Sequence, residues 1–514
     1  MERIVNSKEM QEIDRYTIQD IGISALVLME RAAMKVAACV KKSLTSYTDK
    51  VLCVCGIGNN GGDGIAVARL LTLSGVNCDY YIVGKPEHGS KEFQQQYEIA
   101  KKLNLKKAKD ILGEEELKKY TIIVDALFGT GLNRTITGEI EELINRINAI
   151  NRLVISVDIP SGIDTNTGKI WNVAIKAQKT ITFGLKKLGL CLYPGAEYAG
   201  EIFTEDIGFP EQAYTHICST ETFQAVQEID LPNLLPKRKE NSNKGSYGRV
   251  LIIAGSEEMT GAAVLAAEGA YRIGTGLVKV LTSPKGVHVI RNRLPEALTQ
   301  NRDRKEVLSA LSWADAVVFG PGIGMKEEAQ ELLDAVLENV QVPLVLDADA
   351  LNLLSKRLDE SNLNQQNISI RIQRLAEILP KQTILTPHLK ELSRLLGCSM
   401  EEISGHIIDI AKECTYNNKL VFVLKDARTV IASEQERYLN LSGNHGMATG
   451  GSGDILAGMI GGLLAGGLTL ARAAALGVFL HGRAGDYTAK KKSKRGMLAG
   501  DILEGLTELF LKFE

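Results

Sequence analysis

The chain alternates short apolar runs with small polar residues and amphipathic stretches, and this pattern repeats along its first half. Apolar runs lie at residues 51–55, 121–125 and 153–158, and glycine or polar residues follow each of them. Residues 24–44 place apolar side chains at helical spacing, which predicts an amphipathic helix. Strands that alternate with helices in this way form a parallel β-sheet, so the pattern predicts an α/β fold.

A glycine-rich segment at residues 56–64 connects the first apolar run to a predicted helix at 65–74. A glycine loop between a strand and a helix is typical of sites that hold phosphate groups. The segment matches the GxGxxG pattern, but Asp79 opens the next predicted strand, at 80–83, instead of closing it. The segment contains no Walker lysine, which excludes a P-loop. Because asparagine and aspartate favour turns, a purely structural turn is the alternative interpretation.

Oxygen-bearing side chains come at or just after the carboxyl ends of three predicted strands. They are Asn60, Asp125 and Ser161. Ligands of parallel sheets collect at this edge, and amide, carboxylate and hydroxyl oxygens suit a hard cation. The pattern therefore predicts a polar ligand site with a cation in the first half of the chain.

The second half of the chain repeats the strand–helix alternation. His388 follows one of its predicted strands, and Lys425 and Arg428 follow another, so all three are expected at one edge of a sheet. A lone histidine is often structural and a basic hairpin is often solvated, but these positions also suit ligand contact and phosphate binding. The predicted elements are a strand and turn at 248–256, a helix at 260–274, and strands at 316–319, 343–347, 383–386 and 420–424.

Residues 446–458 combine a glycine loop with the start of an apolar helix. The free N–H groups and the helix dipole at such a junction favour an anion. Asp454 falls in the predicted first turn, where its carboxylate is stabilised as an anion and can serve as a base. The alternative is a glycine loop capped by an aspartate. Residues 455–480 are rich in leucine, alanine and glycine but are interrupted by Arg472, so we expect core helices there.

Composition sets limits on the possible functions. The chain has 514 residues, 45% of them hydrophobic, which is ordinary for globular protein and enough for roughly two to four domains. Its 60 basic and 62 acidic residues give a net charge of −2, without the basic excess of nucleic-acid-binding proteins. Eight scattered cysteines without a CxxC pair disfavour zinc and fit a reducing cytoplasm. No secretory signal or membrane-spanning apolar run is evident, so we expect a cytoplasmic protein without membrane contact.

Three prolines mark the expected junction between the halves. Pro210, Pro232 and Pro236 lie in a stretch with little helical or strand periodicity. The sequence is divided accordingly into a first domain, a linker and a second domain at residues 1–210, 211–236 and 237–514.

The segment at 446–458 resembles the Gly-x-Gly-Asp signature of the ribokinase-like fold, in which the aspartate takes a proton from a substrate hydroxyl. With the strand-end segments before it, the second half resembles more specifically the NAD(P)H-hydrate dehydratase branch of that fold. The resemblance implies that Asp454 is the catalytic base. It implies substrate contacts at Ala262, Gly322, His388 and Asp454, and nucleotide contacts at Lys425, Asp426, Ala427, Arg428, Thr429 and Gly453.

Three runs in the first half resemble the NAD(P)H-hydrate epimerase domain: Gly-Asn-Asn-Gly-Gly-Asp-Gly, Val-Asp-Ala-Leu-Phe-Gly-Thr-Gly-Leu and Asp-Ile-Pro-Ser-Gly. The resemblance implies a Rossmann-like three-layer sandwich, with Asp158 as the candidate acid/base at the epimerised carbon. It implies a potassium ion held by Asn60, Asp125 and Ser161. It implies substrate contacts at Asn59, Asn60, Gly61, Gly62, Asp63, Gly129, Thr130, Gly131, Leu132, Asn133, Arg134, Thr135 and Asp158.

Together the two resemblances imply a fused repair enzyme for hydrated NADH and NADPH. The first domain would interconvert the R and S hydrates (NADHX and NADPHX), and the second would dehydrate the S form. Hydroxide is a poor leaving group, and phosphorylation by a nucleotide makes its departure easy. For bacterial-type fused chains the resemblance implies ADP as donor, with Mg²⁺, and release of AMP and phosphate. The expected partners are these small molecules and further copies of the chain in a homo-oligomer.

Two other functions fit parts of the pattern. One is a ribokinase-like kinase for a small molecule, fused to a non-catalytic binding module, and the other is a scaffold that binds RNA. The sequence also departs from the dehydratase pattern. His445 stands where proline is usual, Ser452 where threonine is usual, and Leu389-Lys390 where Pro-Gly is usual. A long polar stretch at 355–377 looks like an insertion.

Overall fold

The chain forms two compact units. The N-terminal unit is Arg3–Thr222, and the C-terminal unit is Phe223–Glu514 with Met1–Glu2. The division falls inside the predicted junction at 211–236, which contains short helices and a strand. Among the residues described, no helix is long and apolar enough to cross a membrane. The structure is a computed structural model, and it describes residues 1–109, 113–219, 221–360 and 367–513.

The N-terminal unit is built on a parallel sheet. The strands are β1 (Glu2–Val5), β2 (Lys50–Cys55), β3 (Asn77–Ile82), β4 (Ile122–Ala126), β5 (Leu153–Val157), β6 (Lys179–Phe183), β7 (Lys186–Lys187) and β8 (Glu201–Glu205). Six of them pair in the order β3-β2-β4-β5-β6-β8, all parallel, and the short strands β1 and β7 pair with one another.

Helices cover both faces of this sheet. They are α1 (Ser7–Arg15), α2 (Ala25–Ser43), α3 (Asn59–Leu73), α4 (Lys91–Lys102), α5 (Glu114–Leu117), α6 (Glu139–Ala149), α7 (Leu188–Cys191), α8 (Gly195–Tyr198) and α9 (Glu211–Ile217). Cys53 and Cys55 of β2 pack with apolar residues of α2 and α3, whereas Leu52 and Val54 pack with those of α6. The arrangement confirms the three-layer α/β sandwich, because alternate residues of one strand enter different cores.

Most of the predicted glycine loop is helical, because α3 begins at Asn59. The prediction of a loop through residue 64 is therefore wrong. The glycines lie in the helix because it packs at backbone distance against its neighbours. A Cβ at Gly61 would lie 1.9 Å from the carbonyl oxygen of Gly56, and a Cβ at Gly64 would clash with side chains of β2 and β4. Close packing, rather than turn conformation, requires glycine at these positions.

Asp79 lies inside β3 and not at the start of that strand, contrary to the prediction. Its carboxylate is buried, but Nζ of Lys50 lies 2.7 Å from Oδ2 and the Tyr120 hydroxyl donates to Oδ2 at 2.8 Å. These partners offset the cost of burying a charge, which allows an acidic residue in the middle of a strand.

The C-terminal unit contains a second sheet, and all the strands predicted for this half of the chain are present. They are β9 (Phe223–Ala225), β10 (Arg249–Ile253), β11 (Leu277–Thr282), β12 (Leu298–Asn301), β13 (Ala316–Phe319), β14 (Leu344–Leu346), β15 (Thr383–Leu385), β16 (Val421–Leu424), β17 (Val430–Ala432) and β18 (Arg437–Leu439). Their order is β12-β11-β10-β13-β14-β15-β16-β17-β18-β9. Neighbours are parallel from β12 to β16, and β16, β17 and β18 form antiparallel hairpins.

Helices pack on this second sheet and form much of the C-terminal core. They are α10 (Leu231–Leu234), α11 (Thr260–Arg272), α12 (Pro284–Arg293), α13 (Arg304–Leu311), α14 (Glu327–Asn339), α15 (Asp349–Glu360), α16 (Ile368–Ile378), α17 (Leu389–Leu396), α18 (Met400–Gly405), α19 (Ile407–Thr415), α20 (Ser452–Ala465), α21 (Leu470–Lys492) and α22 (Ala499–Phe510). Helices α20 and α21 are core helices, as the apolar stretch at 455–480 predicts. A Cβ at Gly458 would lie 1.9 Å from the carbonyl oxygen of Ala266, so α20 packs directly on the backbone of α11 and its N-terminus is held firmly.

The stretch predicted to be an insertion, 355–377, covers the end of α15 and most of α16, and its residues 361–366 lie outside the described part of the chain. Arg371 of α16 is buried and donates from Nε to the carbonyl oxygen of Leu395 at 2.8 Å. Helix α16 is therefore fastened to α17 by a buried hydrogen bond.

Candidate active sites

A cavity of about 670 Å³ lies in the N-terminal unit, at the carboxyl ends of β2, β4 and β5. It brings together residues from all three of the sequence runs that resemble an epimerase. Helix α1 and strand β7 add Asp14 and Lys187, which the sequence did not single out. The predicted substrate contacts that line the cavity are Asn59, Asn60, Asp63, Gly129, Thr130, Gly131, Leu132, Asn133, Arg134 and Asp158.

Three predicted substrate contacts are not among the residues that line this cavity. Gly61 and Gly62 are buried in α3, and a Cβ at Gly62 would lie 2.8 Å from the methyl carbon of Met29. Thr135 is exposed on the surface. The two glycines therefore serve the packing of α3, and the cavity wall itself is formed by their polar neighbours.

Asp158 follows β5 in a left-handed conformation with φ of +65°, which non-glycine residues adopt only at a cost. Nζ of Lys187 donates to Oδ1 of Asp158 at 2.5 Å, and to Oγ1 of Thr182 and the carbonyl oxygen of Phe183 at 2.9 Å each. The Lys187 side chain is 1% exposed. All three ammonium hydrogens have acceptors, so Lys187 is a fixed cation that balances the charge of Asp158.

Two further carboxyl groups titrate in this cavity. Burial raises the pKa of Asp14 to about 7, while Lys187 lowers it and Asp158 raises it. Burial, followed by the charges of Asp158 and Asp14, raises the pKa of Asp63 well above its ordinary value. The cavity can therefore hold a proton on a carboxyl group at neutral pH.

The predicted cation ligands Asn60, Asp125 and Ser161 meet around the backbone of Phe128. Oγ of Ser161 donates to Oδ1 of Asp125 at 2.6 Å, and the N–H of Phe128 donates to Oγ of Ser161 at 2.8 Å. Nδ2 of Asn60 donates to the carbonyl oxygen of Phe128 at 3.0 Å. The carboxyl ends of neighbouring strands thus bring the three side chains together, as the sequence predicts.

The chemistry of this cluster fits a potassium ion. Asp125 is 1% exposed, and its Oδ2 accepts from Oγ of Ser156 at 2.8 Å and from the N–H of Ser161 at 2.9 Å. Burial raises the pKa of Asp125, and the hydrogen bonds from Ser161 and Ser156 oppose that rise. A cation would stabilise this buried carboxylate, and the amide, hydroxyl and carbonyl oxygens around it are hard ligands.

In the C-terminal unit, Asp454 lies in the first turn of α20, where the sequence predicts it. Nζ of Lys425 donates to Oδ1 of Asp347 at 2.7 Å, after the ends of β16 and β14. A Cβ at Gly453 would lie 3.3 Å from that Nζ, so the lysine reaches the N-terminus of α20. A base, a cation and free helix N–H groups therefore meet at one point, which suits the transfer of a phosphoryl group to a hydroxyl.

Burial and neighbouring charges shift the pKa values of Asp454 and Lys425. Burial raises the pKa of Asp454 to about 7, Asp347 adds to the rise, and Lys425 opposes it. For Lys425, burial acts to lower the pKa, but Asp347 and Glu391 outweigh it and the pKa is raised. Lys425 thus stays charged, while Asp454 can exchange a proton near neutral pH, as a general base should. The predicted stabilisation of the Asp454 carboxylate as an anion is wrong, because burial outweighs the effect of the helix N-terminus.

His388 is the N-cap of α17. Its Nδ1 accepts from the N–H groups of Lys390 at 3.1 Å and Glu391 at 3.3 Å, which places the ring proton on Nε2. Burial and the charge of Lys425 lower the pKa of His388, so the ring is neutral. The Leu389-Lys390 departure preserves this cap, because only backbone N–H groups take part. His388 also forms a parallel bridge with Lys425.

The remaining predicted contacts fall into two places. Gly322, with φ of +59°, lies against Ala262, since a Cβ on Gly322 would be 2.9 Å from that of Ala262. Residues 426–429 form the turn between β16 and β17, and Nη1 of Arg428 donates to the carbonyl oxygen of Leu441 at 3.1 Å. Of the predicted nucleotide contacts, Lys425 and Gly453 are therefore the pair that meets at the start of α20.

His481 is a buried residue of this site that sequence reasoning missed. It lies on α21, and its Nε2 is 3.3 Å from Oγ of Ser452 in the first turn of α20. Burial and the charge of Lys425 lower the pKa of His481 to about 4, so the ring is neutral in the physiological range. A histidine inside an apolar helix was the signal that could have identified it.

The loop before α20 is held by Asn444, directly before the His445 departure. Oδ1 of Asn444 accepts from the N–H of Gly446 at 3.0 Å, and its Nδ2 donates to Oδ1 of Asp486 at 3.0 Å. His445 opens a single helical turn that follows. The loop shape therefore depends on the Asn444 side chain rather than on a proline at position 445.

Comparisons with known proteins cover both units. The profile of the NAD(P)H-hydrate dehydratase family matches residues 250–508, and the profile described as YjeF-related protein N-terminus matches residues 25–189. A bifunctional NAD(P)H-hydrate repair enzyme (Nnr) from Moorella thermoacetica is 36% identical over 535 residues, which cover 99% of this chain and 97% of that protein.

Solved structures resemble the C-terminal unit. A ribokinase-like superfamily protein from Enterococcus faecalis is 29% identical and aligns with 57% of this chain and 96% of its own, with a TM-score of 0.50. An ADP/ATP-dependent NAD(P)H-hydrate dehydratase from Bacillus subtilis, co-crystallized with ATP/Mg²⁺, is 32% identical, covers 57% of this chain and 99% of its own, and has a TM-score of 0.49.

Proposed function

Since the chain belongs to the family of bifunctional NAD(P)H-hydrate repair enzymes, we propose that it repairs hydrated NADH and NADPH. The N-terminal unit interconverts the R and S hydrates, and the C-terminal unit dehydrates the S hydrate with ADP as the phosphoryl donor. The observation that carries this proposal is the position of Asp454 at the start of α20, beside Lys425 and its partner Asp347.

Dehydration begins with Asp454, whose carboxylate takes the proton from the hydroxyl group of the S hydrate. The oxygen then accepts a phosphoryl group, while the amide of Gly453 and the ammonium of Lys425 stabilise the charge of the phosphate. The lone pair of the ring nitrogen expels phosphate, and loss of a ring proton restores the double bond. The products are NAD(P)H, AMP and phosphate.

A magnesium ion bound to the nucleotide phosphates would shield their charge during this transfer. Mg²⁺ is usually held by the substrate phosphates and only one or two carboxylates, so the ion would enter with the diphosphate. Asp426, Ala427, Arg428 and Thr429 stay proposed contacts of the nucleotide, and Ala262, Gly322 and His388 stay proposed contacts of the hydrated ring.

In the epimerase unit, Asp158 is the proposed acid/base at the ring carbon that changes configuration. Its cavity of about 670 Å³ is lined by residues 129–134, Asn59 and Asp63, which are the proposed contacts of the hydrated dinucleotide. A potassium ion on Asn60, Asp125 and Ser161 would fix the segment around Phe128 and attract a substrate phosphate. The buried carboxylate of Asp125 supports this cation, because the cation would supply the opposite charge.

The test is incubation of the pure protein with hydrated NADH and ADP, followed through the near-ultraviolet absorbance of NADH. We expect the absorbance to return, with AMP and phosphate released in equal amounts. A stable phosphorylated product without NADH would instead identify a small-molecule kinase. An electrophoretic shift with RNA would support the scaffold alternative.

We further propose that the protein is cytoplasmic and forms a homo-oligomer. The first statement rests on the eight scattered cysteines, whose spacing without a CxxC pair suits a reducing compartment. Sedimentation of the purified chain tests the second, and a monomer at all concentrations would refute it.

A further inference from the structure

The epimerase cavity contains an acidic side chain to which the proposed function gives no role. Asp14 lies in the last turn of α1 (Ser7–Arg15) and lines the cavity together with Asp158 and Lys187. Its carboxyl group interacts electrostatically with both. Asp14 is far in sequence from the three runs that form the rest of the site, so only the fold brings it there.

Epimerisation of a hydrated ring carbon changes the face that carries the oxygen. If water leaves from one face and returns to the other, the leaving oxygen needs a proton donor and the incoming water needs a proton acceptor. Hydroxide leaves poorly without protonation, so the donor is essential. A side chain on one face of the ring cannot protonate the leaving oxygen and also take a proton from water on the other face in the same conversion.

Within one conversion Asp158 can take only one of these roles. Its Oδ1 accepts from Nζ of Lys187 at 2.5 Å, from Oγ1 of Thr182 at 3.1 Å and from the N–H of Phe183 at 3.3 Å. Three donors, one of them the buried ammonium group of Lys187, hold Oδ1 of Asp158 in place. The proton donor must therefore be another group of the cavity.

We propose that Asp14 is the second catalytic residue of the epimerase and supplies the proton with which the ring hydroxyl leaves. The inference rests on the proposed function of the N-terminal unit. Asp14 protonates the hydroxyl, the carbon–oxygen bond breaks, water departs, and the lone pair of the ring nitrogen forms a carbon–nitrogen double bond. Water then adds from the opposite face, the double-bond pair returns to nitrogen, and Asp158 takes the proton of the adding water. In the reverse direction the two residues exchange roles.

The surroundings of Asp14 support this role. Burial raises its pKa to about 7, Lys187 opposes the rise and Asp158 adds to it, so the group can both give and take a proton near neutral pH. Asp63 lies in the same cavity, and burial raises its pKa well above the ordinary value. Glu92 and Arg134 are the other charged side chains of the wall. Once Asp14 has given up its proton, its carboxylate also suits the positively charged ring that forms between the two steps.

The test uses the full-length protein and the variant Asp14→Asn, with the R and S hydrates separated by chromatography. We expect interconversion to fall on the order of 10²–10⁴-fold while dehydration of the S hydrate with ADP is unchanged. Asp14→Glu should restore part of the rate. The matched control is Glu12→Gln on the same helix, since Glu12 pairs with Arg15 at the surface and should be dispensable.

Three further readouts separate catalysis from a structural effect. The wild-type rate should depend on one ionisation near neutral pH, and that dependence should vanish in Asp14→Asn but persist in Asp63→Asn. In water labelled with ¹⁸O, each wild-type interconversion should place one labelled oxygen on the ring. The thermal unfolding temperature of Asp14→Asn should stay close to that of the wild type.

The outcomes are distinguishable. Near-normal interconversion by Asp14→Asn, or loss of the ionisation only in Asp63→Asn, overturns the assignment of Asp14 and leaves the epimerase function intact. Interconversion without uptake of labelled oxygen overturns the proposed step. Absence of interconversion by the wild-type protein overturns the proposed function, and the role of Asp14 with it.

Discussion

The ammonium group of Lys425 lies 2.7 Å from Oδ1 of Asp347, with the Lys425 side chain 18% exposed and the Asp347 side chain 2% exposed. Either partner alone would be a buried, uncompensated charge, so the pair is held together strongly. It fixes a cation at the start of α20, next to Gly453 and Asp454. The cation therefore has a fixed position in the dehydratase site, and the neighbouring base can be tested by itself.

We expect Asp454→Asn to lose dehydration, by on the order of 10²–10⁴ in rate, and to keep epimerisation. The amide retains the shape of the side chain but cannot accept the proton. The measurement is NADH recovery from the S hydrate with ADP. Asp409→Asn is the matched control, because Asp409 is an exposed acid in the first turn of α19. Near-normal turnover of Asp454→Asn would remove this residue from its role.

The rate of dehydration should rise with pH through about 7. Burial and Asp347 raise the pKa of Asp454 to about 7, Lys425 opposes them, and only the ionised form is a base. The fraction of active enzyme therefore falls as the carboxylate is protonated below that pH. Single-turnover rates at several pH values check this expectation, and a flat profile across the neutral range would contradict it.

Asp454 should also make the free energy of unfolding depend on pH. This contribution falls as pH rises, whereas the rate of dehydration increases. Its folded pKa, about 7, lies above the ordinary value of 3.8, so the folded state binds the proton more tightly. This contribution to the free energy of unfolding is fully present below the ordinary pKa and is lost as pH rises through about 7. Asp454→Asn should accordingly have a higher free energy of unfolding than the wild type. The difference should be larger in mildly alkaline than in mildly acidic solution. Denaturant unfolding of the C-terminal unit under both conditions measures the difference.

Epimerisation should depend on potassium through Asp125. Asn60 and Ser161 offer neutral oxygens, so Asp125 alone brings a full charge to the proposed ion. Asp125→Asn keeps the size and loses that charge, so the epimerase should need much more potassium and the dehydratase should be unaffected. The measurement is a potassium titration of interconversion, with sodium holding ionic strength constant. Equal rates in both salts would mean that Asp125 is only a hydrogen-bonded strand end.

The two units should fold and act separately when the chain is divided between Thr222 and Phe223. The cut must come before β9, because Gln224 pairs with Tyr438 in the sheet of the C-terminal unit. Each fragment is long enough for its own core. Soluble fragments, each with one activity, would meet the expectation, whereas recovery only on co-expression would contradict it.

The sequence predicts well the features that depend on local pattern. Apolar runs identify the strands, and the residues at or just after their carboxyl ends, such as Asp125, Asp158 and His388, lie at that edge of the sheet as expected. The glycine loop before Asp454 also ends where the pattern indicates, at the first turn of α20. These features follow from strand and helix periodicity, which needs no knowledge of distant neighbours.

Features that depend on long-range pairing were not predictable in this way. Lysine is usually exposed, but Lys187 is buried in β7, which pairs with β1, and its ammonium group donates to Asp158. Asp14 and His481 lie on helices whose orientation is set by tertiary packing. The predicted start of α3 is wrong because Gly61 favours a loop by propensity, whereas the close approach to Gly56 that requires glycine there is visible only in the fold.

The close packing of α3 limits how the epimerase could be redesigned. At Gly61 any side chain would collide with the backbone, so a saturation mutagenesis library should return glycine alone there, whatever substrate is selected. Asn59 and Gly131 line the cavity, and a Cβ added at Gly131 would meet open space. A search for new substrate preference would therefore vary Asn59 and Gly131 and leave Gly61 unchanged.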